Sequence, residues 1–254
     1  AIGRAVHSGL EAGYQALAEG ETDPGALTEV SVTAVDMDLE NVKCEFSKDK
    51  NPEKARQIME LYWHHYEERH KEIMVLDVEM PFTVPVLQGA PALFGTVDLV
   101  FRDNNGLYVG EHKTTKSLSQ QWASQWRNAL QPDFYAHATR LYYNQLPMVT
   151  ISALCFNQRG PQVQTFPTNK SSDLIDRTIF ELEEHLASIK RDEELLEQQK
   201  EAGDIQTAYP RRTSACHQYR PCMYFDICSS TLRPYALENA PTDWTIIGPS
   251  ERVG

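Results

Sequence analysis

Asp98, Glu111 and Lys113 are the residues of this sequence whose types and spacing suit them to act together. They lie on the stretch GTVDLVFRDNNGLYVGEHK, Gly95–Lys113. Val97, Leu99 and Phe101 alternate with Thr96, Asp98 and Val100, the two-residue period of a strand. Asp103-Asn104-Asn105-Gly106 supplies turn chemistry, because Asn, Asp and Gly tolerate the left-handed backbone of a hairpin. Leu107, Tyr108 and Val109 then open a second strand that runs into Glu111-His112-Lys113. Alternation puts Glu111 and Lys113 on one face and His112 on the other. Two carboxylates and an ammonium gathered on paired strands suit a hydrated divalent cation and an activated water. Carboxylate oxygens favour hard cations, so magnesium or manganese is the expected metal.

Asp98 followed by Glu111-x-Lys113 resembles the catalytic core of the PD-(D/E)XK nuclease superfamily. A D…ExK pattern alone is common, and its weight comes from the motifs around it. The opening segment GRAVHSGLEAGY carries Gly3, His7, Glu11 and Tyr14. It resembles the G…H…L/E…Y helix of the RecB-like branch, in which a histidine joins the carboxylates at the metal. On its own His7 would read as an ordinary helix histidine. Gln131 and Tyr135, at i and i+4 on one helical face, resemble the Q-x-x-x-Y motif that follows E-x-K in the same branch. There the glutamine supports the lysine region and the tyrosine reaches a DNA phosphate. The resemblance implies that His7, Asp98, Glu111 and the His112 backbone carbonyl hold one or two divalent cations. It implies that Lys113 orients or activates the attacking water. Lys116, in the Thr114-Thr115-Lys116-Ser117 stretch, would contact phosphate oxygens, and a helix N-cap is the plainer role for Ser117.

The positioning elements follow from local pattern. Ile2, Val6, Leu10, Tyr14 and Leu17 fall at helical spacing. Ala1 begins inside that helix, which suggests a missing or processed upstream segment. Residues 20–32, rich in Gly, Thr, Asp and Pro, read as a loop, and residues 32–41 read ambiguously. Asn51-Pro52-Glu53 opens a helix running to about Lys71, with Ile58, Leu61, Tyr62 and Tyr66 inward. His64, His65 and His70 read as its solvated face. Residues 73–86 read as a strand with Glu79 at its middle; a pairing or edge position is its plain reading, while the resemblance implies a supporting acid near the metal. A helix is expected over residues 118–130, with Trp122 and Trp126 in the core, and another from Pro132 to Tyr143. Strands are expected over 148–156 and 163–166, with Cys155 a buried, inert thiol. A long charged helix is expected over 171–201.

Cys216, Cys222 and Cys228 form a C-x5-C-x5-C cluster with aromatic residues interleaved. It resembles the C-terminal cysteine clasp of iron–sulfur nucleases of the RecB and AddB type, which implies a [4Fe–4S] cluster. Such a cluster takes four thiolates. The fourth ligand would come from an upstream segment or from Cys44; alternatively His217 completes a zinc site, or the segment binds no metal and is simply packed. Arg211, Arg212 and Arg220 flank the cluster as candidate DNA contacts.

The 254 residues fit one large domain, and the net charge of −12 argues against a protein that coats DNA over its whole surface. Five cysteines, an odd and partly clustered set, argue against a secreted disulfide framework and for a reducing, cytoplasmic setting. No apolar run is long enough to span a bilayer. No GxxxxGK[ST] loop is present, so any unwinding belongs to another chain. The expectation is an α/β, restriction-endonuclease-like mixed central sheet flanked by helices. Residues 1–210 form the nuclease core, 211–230 the clasp and 231–254 an irregular tail. The resemblance implies a metal-dependent DNA exonuclease acting on DNA ends or single strands, in recombination, repair or phage replication, with a helicase or recombination partner. A catalytically weak DNA-binding or scaffolding subunit on the same fold is the alternative.

Overall fold

A computed structural model describes residues 1–40, 42–86, 92–168 and 170–202. Two compact units divide the chain, Ala1–Glu183 and Glu184–Gly254. The site lies within the first unit. Among the described residues no helix is long and apolar enough to cross a membrane.

Helix α1 spans Ile2–Ala18. Its expected stripe of Ile2, Val6, Leu10, Tyr14 and Leu17 is buried. No side chain caps its start at Ala1, a cap being worth about 1 kcal/mol. Each large buried side chain contributes about 1.5–3 kcal/mol, so packing rather than capping holds α1. Helix α2, Pro24–Leu39, occupies much of the stretch expected to be loop. Asp23 accepts the Ala26 N–H and Pro24 starts the helix, while Leu27, Ser31 and Val35 turn inward at i, i+4, i+8. The Gly, Thr and Pro that suggested a loop occupy the helix's start, where they are tolerated. Helix α3, Pro52–His65, starts as expected, with Asn51 accepting the Lys54 N–H. It stops short of Lys71: the backbone breaks at Tyr66 and a separate turn, α4, covers Glu67–Glu72. His70 is buried rather than solvated, because it follows Ile58, Tyr62 and Tyr66 at four-residue spacing and its N–H still bonds the Tyr66 carbonyl, whereas His64 and His65 are exposed as expected.

Strands β1 (Met74–Val84), β2 (Leu93–Asp103), β3 (Gly106–Thr115), β4 (Met148–Asn157) and β5 (Gly160–Thr168) form one mixed sheet in that order. Only β3 and β4 run parallel. A parallel pair needs a crossover, which helices α5 (Gln120–Ser124) and α6 (Leu130–Tyr143) provide. The continuous helix expected over 118–130 is instead α5 followed by one tight turn at Gln125–Arg127. Ser119, not Ser117, caps α5 by accepting the Trp122 N–H. Helix α7 spans Ser172–Ala202. The mixed sheet flanked by helices is the restriction-endonuclease-like α/β architecture expected from the sequence.

Two apolar cores flank the sheet. α1, α2 and α3 pack with Leu99, Phe101, Leu154 and Phe156 on one face. Tyr135 and Ala136 of α6 and Ile175 of α7 pack with Val97, Val100, Leu107, Val109 and Ile151 on the other. The helical layer closes on a glycine: a Cβ at Gly13 would lie 2.2 Å from Trp63 Cζ2 and 2.5 Å from Ser31 Oγ. Trp63 cannot easily retreat, because it is fully buried and its indole N–H donates to Ser31 Oγ at 2.8 Å. Gly13→Ala is therefore expected to destabilise the protein by about 1–3 kcal/mol from overpacking, despite the roughly 1 kcal/mol an alanine gains in helix propensity. Thermal unfolding measures this directly, and an unchanged or higher midpoint would contradict the packing described.

Candidate active site

The site forms where strand alternation fails. On β2, Leu99 belongs to the core under α1 and Val97 to the core under α6, although residues two apart on a regular strand share a face. On β1 the same switch separates Val78 from Met80. These are register partners, Val78 with Leu99 and Met80 with Val97. The residues between them, Glu79 and Asp98, therefore sit where both strands roll over. Glu79 has the left-handed φ of +50°, a costly conformation for a residue with a Cβ. Residues placed this way turn toward the end of the sheet instead of lying flat in either core.

β2 and β3 part at the same level. Their paired register ends at Leu99–Gly110, and beyond it the Asp98 carboxylate takes the main-chain N–H of His112 at 2.9 Å. β3 keeps its backbone order through β4, to which Glu111, His112 and Lys113 stay paired with Ile151, Ser152 and Ala153. α1 delivers His7 across the gap, its Nδ1 3.6 Å from Asp98 Oδ2. The His112 main chain lies near enough to the His7 ring to favour its charged form slightly. One ligand atom from each of His7, Glu79 and Asp98 lies within 4.8 Å of the others.

Electrostatics marks this as a crowded acidic site. Burial, then the charges of Asp98 and Glu11, push the Glu79 carboxyl up to about 7. Burial and Asp98 likewise push Glu111 up to about 7, against the pull of Lys113. Asp98 moves the other way: burial works to raise it, but hydrogen bonding and charge from His112, with the charge of His7, hold it below the ordinary value. Burial keeps His7 below its usual value despite Asp98. Glu111 is completely buried, and the Lys113 ammonium is the one partner its carboxylate has among the described residues. Two carboxyls, Glu79 and Glu111, that resist ionisation beside the Asp98 carboxylate are an environment a divalent cation would relieve, and the oxygen-rich donor set with the His7 imidazole fits magnesium or manganese.

The sequence reading placed Glu79 only as support, whereas the structure groups it with His7 and Asp98. Glu111 lies close enough to feel Asp98 and Glu79 but is paired to Lys113. Only the backbone roll-over brings Glu79 in, and no sequence signal announces a left-handed glutamate inside a strand. Gln131 and Tyr135 meet as expected for one helical face, Gln131 Nε2 donating to Tyr135 Oη at 2.8 Å. Burial and the Glu111 carboxylate hold Tyr135 well above its ordinary value, so it stays a neutral hydroxyl. Trp126 lies 5.6 Å below the Lys113 ammonium, within cation–π range. Its segment is held by Lys170, whose buried ammonium donates to the Arg127 carbonyl at 2.8 Å and pairs with Asp133 at 2.6 Å. Lys116 follows Thr114, whose hydroxyl accepts from Lys50 at 2.8 Å. The sequence reading missed Lys50, which lies far away in the chain. Cys44 and Cys155 are free thiols, exposed and buried respectively. Cys216, Cys222, Cys228, His217, Arg211, Arg212 and Arg220 lie outside the described residues.

Among curated proteins none matches this chain. A family model described as the PD-(D/E)XK nuclease superfamily matches residues 1–229. That span takes in α1 with His7, the parted β2–β3 pair and α6, and the chain belongs to the PD-(D/E)XK nuclease superfamily.

Proposed function

We propose that this metal-dependent nuclease hydrolyses phosphodiester bonds of DNA at ends or in single strands, as an exonuclease. The observation that supports the reading most is the approach of His7, Glu79 and Asp98 to within 4.8 Å beside the Glu111–Lys113 pair. His7, Glu79, Asp98, Glu111 and the His112 carbonyl would hold the divalent cation. When bound, the cation supplies Lewis acidity at a phosphate oxygen and lowers the pKa of a water.

The remaining work belongs to the chain's own groups. Lys113, a quarter exposed, pairs with the buried Glu111. It would orient the attacking water and stabilise negative charge that grows on the phosphoryl oxygens. Tyr135, held neutral, would donate its proton as a hydrogen bond to a phosphate oxygen while Gln131 fixes the ring's direction. Lys50 and Lys116 would neutralise neighbouring phosphates. The end-directed activity, the setting in recombination, repair or phage replication, and a helicase or recombinase partner rest on the resemblance to the RecB-like branch. The free thiols Cys44 and Cys155 fit the reducing, cytoplasmic setting proposed with them.

The test is cleavage of end-labelled single- and double-stranded DNA in magnesium, manganese or EDTA. Mononucleotide or short-oligonucleotide release from one end, present with metal and absent in EDTA, is the expected result. Internal cuts in closed circular DNA would replace the exonuclease reading with an endonuclease. A folded protein that binds the metal and DNA yet cuts neither substrate would instead be a DNA-binding or scaffolding subunit.

A further inference from the structure

Behind the carboxylates four polar rings cross the helical core in a line. Tyr62 Oη lies 3.2 Å from His112 Nε2, Tyr14 Oη 2.5 Å from Tyr62 Oη, and His70 Nε2 3.3 Å from Tyr14 Oη. All four residues are at most 4 % exposed. Phenylalanine and leucine would fill such space without the cost of burying polar atoms, so the line calls for a reason. It ends at the site: His112 Nδ1 lies 3.7 Å from Asp98 Oδ2.

Each hydroxyl in the line has one proton, so the whole line has two orders. In one, His70 donates from Nε2 to Tyr14, Tyr14 to Tyr62, and Tyr62 to His112 Nε2. His112 then carries its proton on Nδ1, facing the Asp98 carboxylate. In the reverse order His112 donates from Nε2, and its Nδ1 lone pair faces that negative charge. The far end distinguishes the two orders as well. His70 Nδ1 is buried with no hydrogen-bond partner among the described residues. In the first order it is an unused acceptor, in the reverse an orphaned N–H, and buried orphan donors are the rarer and costlier case. His70 stays neutral throughout, because burial pushes it down to about 3.

We propose that Tyr62, oriented by Tyr14 and His70, fixes His112 as the tautomer with its proton on Nδ1, and so acts as a positioning residue that holds Asp98 in its metal-binding orientation. The second half rests on the reading of Asp98 as a metal ligand, whereas the tautomer does not. Partners that orient a ligand typically change metal affinity by about 10–100-fold when removed.

Two measurements on the whole chain test this. Long-range proton–nitrogen NMR of the histidine rings, without metal, reads the tautomer. Titration calorimetry with manganese reads the affinity. The wild type is expected to show His112 protonated on Nδ1. Tyr62→Phe removes one oxygen from a ring that keeps its packing; it is expected to mix the His112 tautomers and weaken manganese binding about tenfold, with unchanged circular dichroism. Tyr14→Phe keeps Tyr62 against His112 and is expected to give a smaller change in the same direction. His112 protonated on Nε2 in the wild type, or a Tyr62→Phe protein with wild-type tautomer and affinity, would overturn the proposal. A wild type with the Nδ1 tautomer that binds no manganese would uphold the tautomer and remove the metal-site reading instead.

Discussion

Lys113→Ala is expected to slow DNA cleavage by about 10³-fold or more, in the range set by losing a positioned acid–base or charge-stabilising group. Two effects act together. The ammonium that would orient water and meet the phosphate charge is gone. Glu111, fully buried and partnered by Lys113, is also left as an unpaired carboxylate beside Asp98 and Glu79, which favours its protonated form and weakens it as a metal ligand. Lys113→Arg is not expected to rescue, because a planar fork over the Trp126 ring directs its charge differently from an ammonium. The fold should survive, since the backbone of Lys113 is held in the parallel ladder with β4. Single-turnover cleavage in magnesium, with DNA binding measured in parallel, separates chemistry from affinity. A Lys113→Ala protein that cuts DNA at the native rate would refute the role given to this lysine.

Metal-free protein is expected to lose stability as pH rises from about 6.5 to about 8.5, and divalent metal is expected to restore it most at the alkaline end. Glu79 and Glu111 sit at about 7 in the fold, against 4.5 for the ordinary carboxyl. A raised carboxyl favours the folded state while it is protonated there and ionised in the unfolded chain. That contribution is complete below about 4.5 and is lost as pH passes through about 7. His7 and His70 have the opposite sign: their folded values lie below 6.5, so their contribution is lost on acidification. In the unfolded chain they become largely neutral only above about 7.5, where the carboxyl effect stands alone; below that they offset part of it. A cation takes over the neutralising role of the protons, and at a free concentration of 100 times its Kd it adds about 2.7 kcal/mol. Thermal unfolding in EDTA and in magnesium at both pH values checks the sign. A flat EDTA profile, or an equal metal effect at the two values, would show that these carboxylates do not share one buried site.

How much of this was legible in the sequence depended on the range of the forces involved. The β2–β3 hairpin, the α1 stripe and the Asn51 cap are local: period two, period 3.6 and a side chain reaching its own next turn. Asp98, Glu111 and Lys113 stood out because residue type and strand parity are both written in order along the chain. The same local reading failed at α2, where turn-forming residues served a helix start, and after Lys113, where Ser119 rather than Ser117 took the cap.

What the chain by itself determined was the list of groups able to do chemistry and the strands and helices that carry most of them. Tertiary structure decided which groups meet. Glu79 joins His7 and Asp98 only because β1 and β2 roll from one core to the other at that level, a consequence of packing two helical layers against one sheet. His70 lies in the core, on the same helical stripe as Ile58 and Tyr62, and it completes a hydrogen-bonded line with Tyr14, Tyr62 and His112. These residues are some 40 to 60 positions apart along much of that line, and no local period can relate them. Burial gives such contacts their strength, because polar groups withdrawn from water must find one another, and burial is a property of the assembled fold alone.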